Sequence, residues 1–150
     1  MKIYLDLCCF NRPYDDQSFL SIHIETQAKL GIQDLIEEEK GIYLIWSFMM
    51  DYENASNPDS FVSREISYWR NKASIIVNKN ESIIKQAEKL FAAGFGKKDS
   101  IHIASAIDAG AGFFITVDKG IINKRDKVNG LRICSPVDFI SILEEKNYEK

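Results

Sequence analysis

Short apolar runs rich in β-branched and aromatic residues recur along this chain, separated by stretches with helical spacing. Ile3-Tyr4-Leu5, Ile42-Tyr43-Leu44-Ile45-Trp46, Phe113-Phe114-Ile115-Thr116 and Leu131-Arg132-Ile133-Cys134 all have strand composition. Strands that take turns with helices imply a parallel sheet covered on both faces, because each crossover must return the chain to the same sheet edge. The expected fold is therefore α/β, a three-layer α/β/α sandwich with a central parallel sheet. A chain of 150 residues is enough for one domain, spanning 1–150, with a real core.

Residues 2–6 read as a buried strand, and Asn11 to Asp16 as a loop with turn chemistry. Asp16 or Ser18 is placed to cap a helix reaching about Glu39, with Leu20, Ile24, Ala28, Leu35 and Ile36 near helical spacing. Gly41 breaks it before the strand at 42–46, and the segment Trp46–Glu53 turns into a short helix. Asn57-Pro58-Asp59 offers a cap for a helix over 60–71, and the run Ser74–Val77 suits an edge strand. Residues 81–93 form a clear helix, with Ile83, Ile84, Ala87, Leu90 and Phe91 as its stripe and Gly94 as its stop. The segment Lys98–Asp108 is a second helix, apolar nearly all round and so expected to be buried. Ser135-Pro136-Val137-Asp138 starts the last helix, which carries Phe139, Ile142 and Leu143 inward; the charged tail after Glu144 is expected to fray.

Composition narrows the function. No apolar run is long enough to cross a bilayer, and an acid at position 6 interrupts any signal-like segment, so the expected location is the cytoplasm. A net charge of −3 argues against strong nonspecific binding to nucleic acid, which needs broad basic surface. Local cations near the later acids, Lys97, Lys98, Lys119, Lys124, Arg125 and Lys127, could still meet a phosphodiester. Cys8, Cys9 and Cys134 have no zinc-knuckle or thioredoxin spacing and read as reduced thiols. The first strand is followed by no glycine-rich loop, which removes dinucleotide and nucleotide-loop binding from the leading options.

Asp6, Glu53, Asp99 and Asp118 carry the chemistry. Each stands where an apolar strand ends or a helix begins. In an open parallel sheet the carboxyl ends of the strands gather at one edge, where ligands bind. Four carboxylates drawn there repel one another, raising some of their pKa values, and a divalent cation with oxygen ligands would hold them together. Asp99 and Asp118 also suit helix caps, and Glu53 suits a surface position. Asp6 is harder to assign to a bland role, because an acid ending a buried strand costs free energy unless paired.

These segments resemble a PIN domain, the nuclease fold of VapC-type toxins. Ile3-Tyr4-Leu5-Asp6 is similar to the opening strand and first acid. Ser47 and Glu53 are similar to the second motif. Asp99-Ser100-Ile101-His102-Ile103-Ala104-Ser105-Ala106 resembles the alanine-rich helix signature, and Phe114-Ile115-Thr116-Val117-Asp118 the strand ending in threonine, any residue and an acid. Leu7, Cys8 and Cys9 stand where a small hydroxyl residue often follows the first acid, and an extended loop from Cys8 to Asp16 departs from the commonest pattern.

The resemblance implies a metal-dependent endoribonuclease that hydrolyses RNA phosphodiester bonds, the toxin of a type II toxin–antitoxin pair. Mg²⁺ or Mn²⁺ would be held by Asp6, Asp99 and Asp118, with Glu53 orienting water or serving a second metal position. Thr116 could orient a carboxylate or phosphate, and His102 reads as a packed or hydrogen-bonded histidine. An antitoxin partner and a homodimer are implied too, with Tyr14, Phe61, Tyr68 and Trp69 as interface candidates. A catalytically silent PIN-like module that binds RNA or protein is the alternative. A phosphoacceptor domain would want a second acid beside Asp6, where Leu7, Cys8 and Cys9 stand.

Overall fold

A computed structural model describes the backbone of residues 1–148 and the side chains of residues 1–146. Five parallel strands form one sheet: β1 (Lys2–Leu5), β2 (Tyr43–Ser47), β3 (Ile75–Val77), β4 (Phe113–Ile115) and β5 (Arg132–Cys134). Their spatial order is β3-β2-β1-β4-β5. The chain builds outward from β1 to β3, then crosses back to lay β4 on the other side of β1. The crevice between the carboxyl ends of β1 and β4 is therefore the topological switch point, where open α/β sheets bind ligands.

The helices are α1 (Leu7–Asn11), α2 (Leu20–Glu37), α3 (Phe48–Ala55), α4 (Ser60–Ser67), α5 (Glu81–Ala92), α6 (Lys97–Asp108), α7 (Lys119–Ile122) and α8 (Pro136–Tyr148). The pleat assigns them to two faces. Tyr4 of β1 stacks on its register partner Phe114 of β4 with centroids 5.2 Å apart, and both rings lie on the side of α6, where Tyr4 meets His102. Phe113, one residue earlier and so on the opposite face, packs edge-on against Phe139 of α8 at 5.0 Å. α8 packs on α2, while α5 packs on α6. This is the expected three-layer sandwich, with Tyr4, Phe10, Trp46, Phe114 and Phe139 buried between the layers.

Most caps follow local chemistry. Asp59 accepts from the backbone N–H of Phe61 and Val62 to start α4, Asn80 accepts from Ile83 to start α5, and Ser135 accepts from Asp138 in the first turn of α8. Gly94 takes a φ of +109° just past α5, a conformation an L side chain resists. β3 is an edge strand, as its short run suggests.

Several expectations are corrected. The segment after Asp6 is not an extended loop: Leu7–Asn11 is helical, and Arg12–Tyr14 continues as a 3-10 turn. Neither Asp16 nor Ser18 caps α2, which starts after Phe19 without a side-chain cap; Asp16 instead accepts from Ser18 N–H in a local turn. Leu20 and Ile24, placed on the inner stripe, are 71% and 45% exposed, whereas Thr26, Lys29, Ile32, Gln33 and Ile36 face inward. The helix over 60–71 ends at Ser67 and tightens into a 3-10 turn over Tyr68–Lys72. The chain after Glu144 continues α8 to Tyr148, and residues 149–150 lie outside the described residues.

Candidate active site

Asp6 follows β1 and is only 6% exposed. Its Oδ1 accepts from Leu7 N–H at 2.9 Å and so caps α1, while Oδ2 accepts from Thr116 Oγ1 at 2.8 Å and from the Cys8 thiol at 3.3 Å. These donors answer the cost of a buried carboxylate. Cys8 thus fills the place expected for a hydroxyl. Hydrogen bonding with the Cys9 thiol, burial and the Asp6 charge push the thiol pKa well above its usual range, so the sulfur acts as a donor rather than a thiolate. Thr116, just past β4, also accepts the Asp118 N–H at 3.1 Å. One hydroxyl spans the switch point and ties the first acid to the last, the orienting role anticipated for it.

Asp118 is exposed and starts α7, its Oδ1 accepting from Gly120 N–H at 2.8 Å. A Cβ on Gly120 would lie 3.0 Å from that oxygen, a tight approach that the Asp118 side chain would have to ease by a few tenths of an ångström. The cap reading of Asp118 therefore holds, and the residue nonetheless borders the crevice. Asp99 is not a cap. Gly96 takes that position, and Asp99 sits in the first turn of α6, where the helix dipole favours negative charge. A Cβ on Gly96 would come within 3.3 Å of Asp99 Oδ2. Burial raises the Asp99 pKa above its ordinary value, and the charges of Asp6, Asp118 and Glu53 add to this while His102 opposes it.

Glu53 behaves in the opposite way. Burial works against its charge, yet the hydrogen bond to His102 and the charges of His102 and Lys98 outweigh burial and hold it below the usual carboxylate range. The His102 Nε2 contacts Glu53 Oε1, and Nδ1 contacts the Tyr4 hydroxyl at 2.5 Å. That hydroxyl lies 2.6 Å from Ser47 Oγ. The wiring of Tyr4 and His102 went unread in the sequence, although a tyrosine inside a buried strand signals a polar partner for its hydroxyl. Beside Glu53 runs a groove of about 570 Å³, lined by Asp15, Asp59, Lys98 and the Tyr14 ring. Two of the cations near the later acids are engaged elsewhere: Lys124 and Lys127 donate to the carbonyls of Gly94 and Ala93 at the end of α5.

Among the described residues, no three His, Cys, Asp or Glu side chains converge tightly enough to enclose a metal ion. The acids form an open edge. Mg²⁺ keeps several waters and takes few carboxylates, so a site for it can be open in this way, whereas a Zn²⁺ site is a closed set. The three cysteines are free, and no described helix is long and apolar enough to cross a membrane. Of the proposed interface residues, Tyr14, Phe61 and Tyr68 are exposed, whereas Trp69 is half-buried with its ring 6.4 Å from that of Phe10.

The fold has solved counterparts. A chain of the crystal structure of VapBC2 from Rickettsia felis, bound to a DNA fragment from the promoter, matches with a TM-score of 0.57 at 11% identity, over 90% of this chain and 98% of that one. A chain of VapBC-1 from nontypeable Haemophilus influenzae gives 0.56 at 14% identity, over 91% of this chain and 99% of that one. At such identity the likeness shows the fold, and the PIN-like architecture expected from the four motifs is borne out. No family model and no curated protein matches the sequence.

Proposed function

We propose that this protein is a metal-dependent endoribonuclease and the toxin of a type II toxin–antitoxin pair. The observation that carries the reading is the gathering of Asp6, Asp99, Asp118 and Glu53 about one crevice, with Asp99 raised by burial and by its acidic neighbours. Oxygen donors on an open edge fit Mg²⁺ or Mn²⁺, which Asp6, Asp99 and Asp118 would hold. Such an ion supplies charge relief at a phosphodiester and a more acidic water. Glu53, held ionised by His102, would orient the attacking water or complete a second metal position. Thr116 keeps Asp6 in place, and Lys98 supplies local positive charge at the groove where an RNA strand would enter.

The fold shared with VapBC chains supports an antitoxin partner for this one. The exposed rings of Tyr14, Phe61 and Tyr68 suit a homodimer contact. Incubation of a single-stranded RNA panel with the protein and Mn²⁺ tests the activity. Cleavage that stops with EDTA, and that Asp6→Asn reduces by about 100-fold or more with the fold intact, is expected. Equal degradation by wild type and Asp6→Asn overturns the reading and leaves the silent binding module.

A further inference from the structure

His102 lies one helical turn beyond Asp99 on α6 and is 1% exposed. A buried imidazole needs partners at both ring nitrogens, and here both are side chains from other elements. Nδ1 meets Tyr4 from the centre of β1, and Nε2 meets Glu53 from α3. Tyr4 in turn meets Ser47, the last residue of β2. Ser47 Oγ also accepts from Met50 N–H at 3.4 Å and so starts α3, the helix that carries Glu53. The same hydroxyl therefore sets the start of that helix and ends the hydrogen-bond chain reaching its acid.

The direction of these bonds follows from valence. An ionised carboxylate offers only lone pairs, so Nε2–H donates to Glu53. With one proton on the ring, Nδ1 accepts from the Tyr4 O–H and the Tyr4 oxygen accepts from Ser47 O–H; with two, Nδ1–H donates to the Tyr4 oxygen and the Tyr4 O–H to Ser47. In both cases Nε2–H donates to Glu53 and each buried polar side-chain atom of the set has a partner. A glutamate at the mouth of a groove otherwise has three free side-chain torsions, and holding it costs entropy that must be met by such contacts.

We propose that His102 is a positioning residue: fixed by Tyr4 and Ser47, it holds the Glu53 carboxylate in the orientation from which Glu53 serves the reaction. The proposal rests on the ribonuclease reading of the acidic edge. A purely structural histidine at this depth would need the same two partners, so the two roles part in the kinetics rather than in the contacts.

The test uses full-length wild type, Tyr4→Phe, His102→Gln and His102→Leu. Two readouts apply: kcat and KM for Mn²⁺-dependent RNA cleavage, and imidazole nitrogen NMR of the metal-free protein. Tyr4→Phe keeps the ring that stacks on Phe114, so a retained melting temperature separates loss of position from loss of fold. Tyr4→Phe and His102→Leu are expected to lower kcat by about 10- to 100-fold with KM little changed. His102→Gln retains an N–H for Glu53 and is expected to recover about tenfold over His102→Leu. The wild-type ring is expected to carry a proton on Nε2, the atom that holds Glu53, with its nitrogen shifts altered in Tyr4→Phe. His102→Leu as fast as wild type, His102→Gln no better than His102→Leu, or a wild-type ring protonated on Nδ1 alone overturns the positioning role while leaving the ribonuclease reading. A wild type that leaves RNA intact with Mn²⁺ overturns that reading and the role with it.

Discussion

At the scale of single residues, Thr116 and Lys29 show how one buried group sets behaviour. Thr116 donates to Asp6 and accepts from Asp118 N–H. Thr116→Val keeps the shape and removes both bonds, leaving an Asp6 oxygen short of its nearest donor. A stability loss of about 1–3 kcal/mol is expected in urea melts, with slower cleavage. Unchanged stability would mean that Thr116 does not support Asp6. Lys29 is 5% exposed, with Nζ 5.3 Å from the Phe10 ring centroid, and burial lowers its pKa from 10.5 to about 8. Between those values the unfolded chain holds the proton and the folded chain does not, so stability rises with pH across that window. The displacement corresponds to on the order of 3 kcal/mol of destabilisation below pH 8. Lys29→Met should therefore be more stable than wild type at pH 7, with a flatter stability profile between about pH 8 and 10.5. Parallel profiles for the two proteins would refute a buried, perturbed Lys29.

At the scale of elements, the caps are the most local determinants. Asp59→Ala removes both acceptor contacts that start α4 and is expected to cost about 1 kcal/mol, read as a lower urea midpoint with an unchanged slope. No change would mean that α4 needs no side-chain cap. Elements with strong periodicity were legible: in α5 the residues Ile83, Ala87 and Leu90 face inward as read, although Ile84 and Phe91 of the same stripe stay exposed. α2 was misread because its inner face is set by tertiary contacts. Thr26 reaches the Arg12 carbonyl at 3.3 Å and Lys29 Nζ sits over the Phe10 ring, so polar residues take positions that periodicity gives to apolar ones. α1 was missed because its cap is Asp6 itself, read only as a ligand, and five residues are too few for a helical period to show. The positions of the four acids at strand or helix ends were legible from the apolar runs beside them. The links among Tyr4, His102 and Glu53 were not, because they join residues 49 and 98 positions apart.

At the scale of the whole molecule, topology makes one site out of distant acids. β4 returns to lie beside β1, so Asp6 and Thr116 meet across 110 positions of chain. α6 reaches β4 through a short turn at the far edge of the sheet, so its first turn, with Asp99, stands over the crevice. The central claim is that these carboxylates form one cation-seeking edge. Thermal melts of wild type and Asp99→Asn, each with EDTA and with Mn²⁺, test it most directly. A raised Asp99 pKa means that the folded state disfavours its charge, so the metal-free protein loses stability as pH rises through that pKa. At neutral pH Asp99→Asn should therefore melt higher than wild type in EDTA, with the lost dipole interaction offsetting about 0.3–1 kcal/mol of the gain. Mn²⁺ should raise the wild-type midpoint by mass action and raise that of Asp99→Asn much less. An identical Mn²⁺ shift in the two proteins would contradict the account, because Asp99 would then have no part in holding the ion.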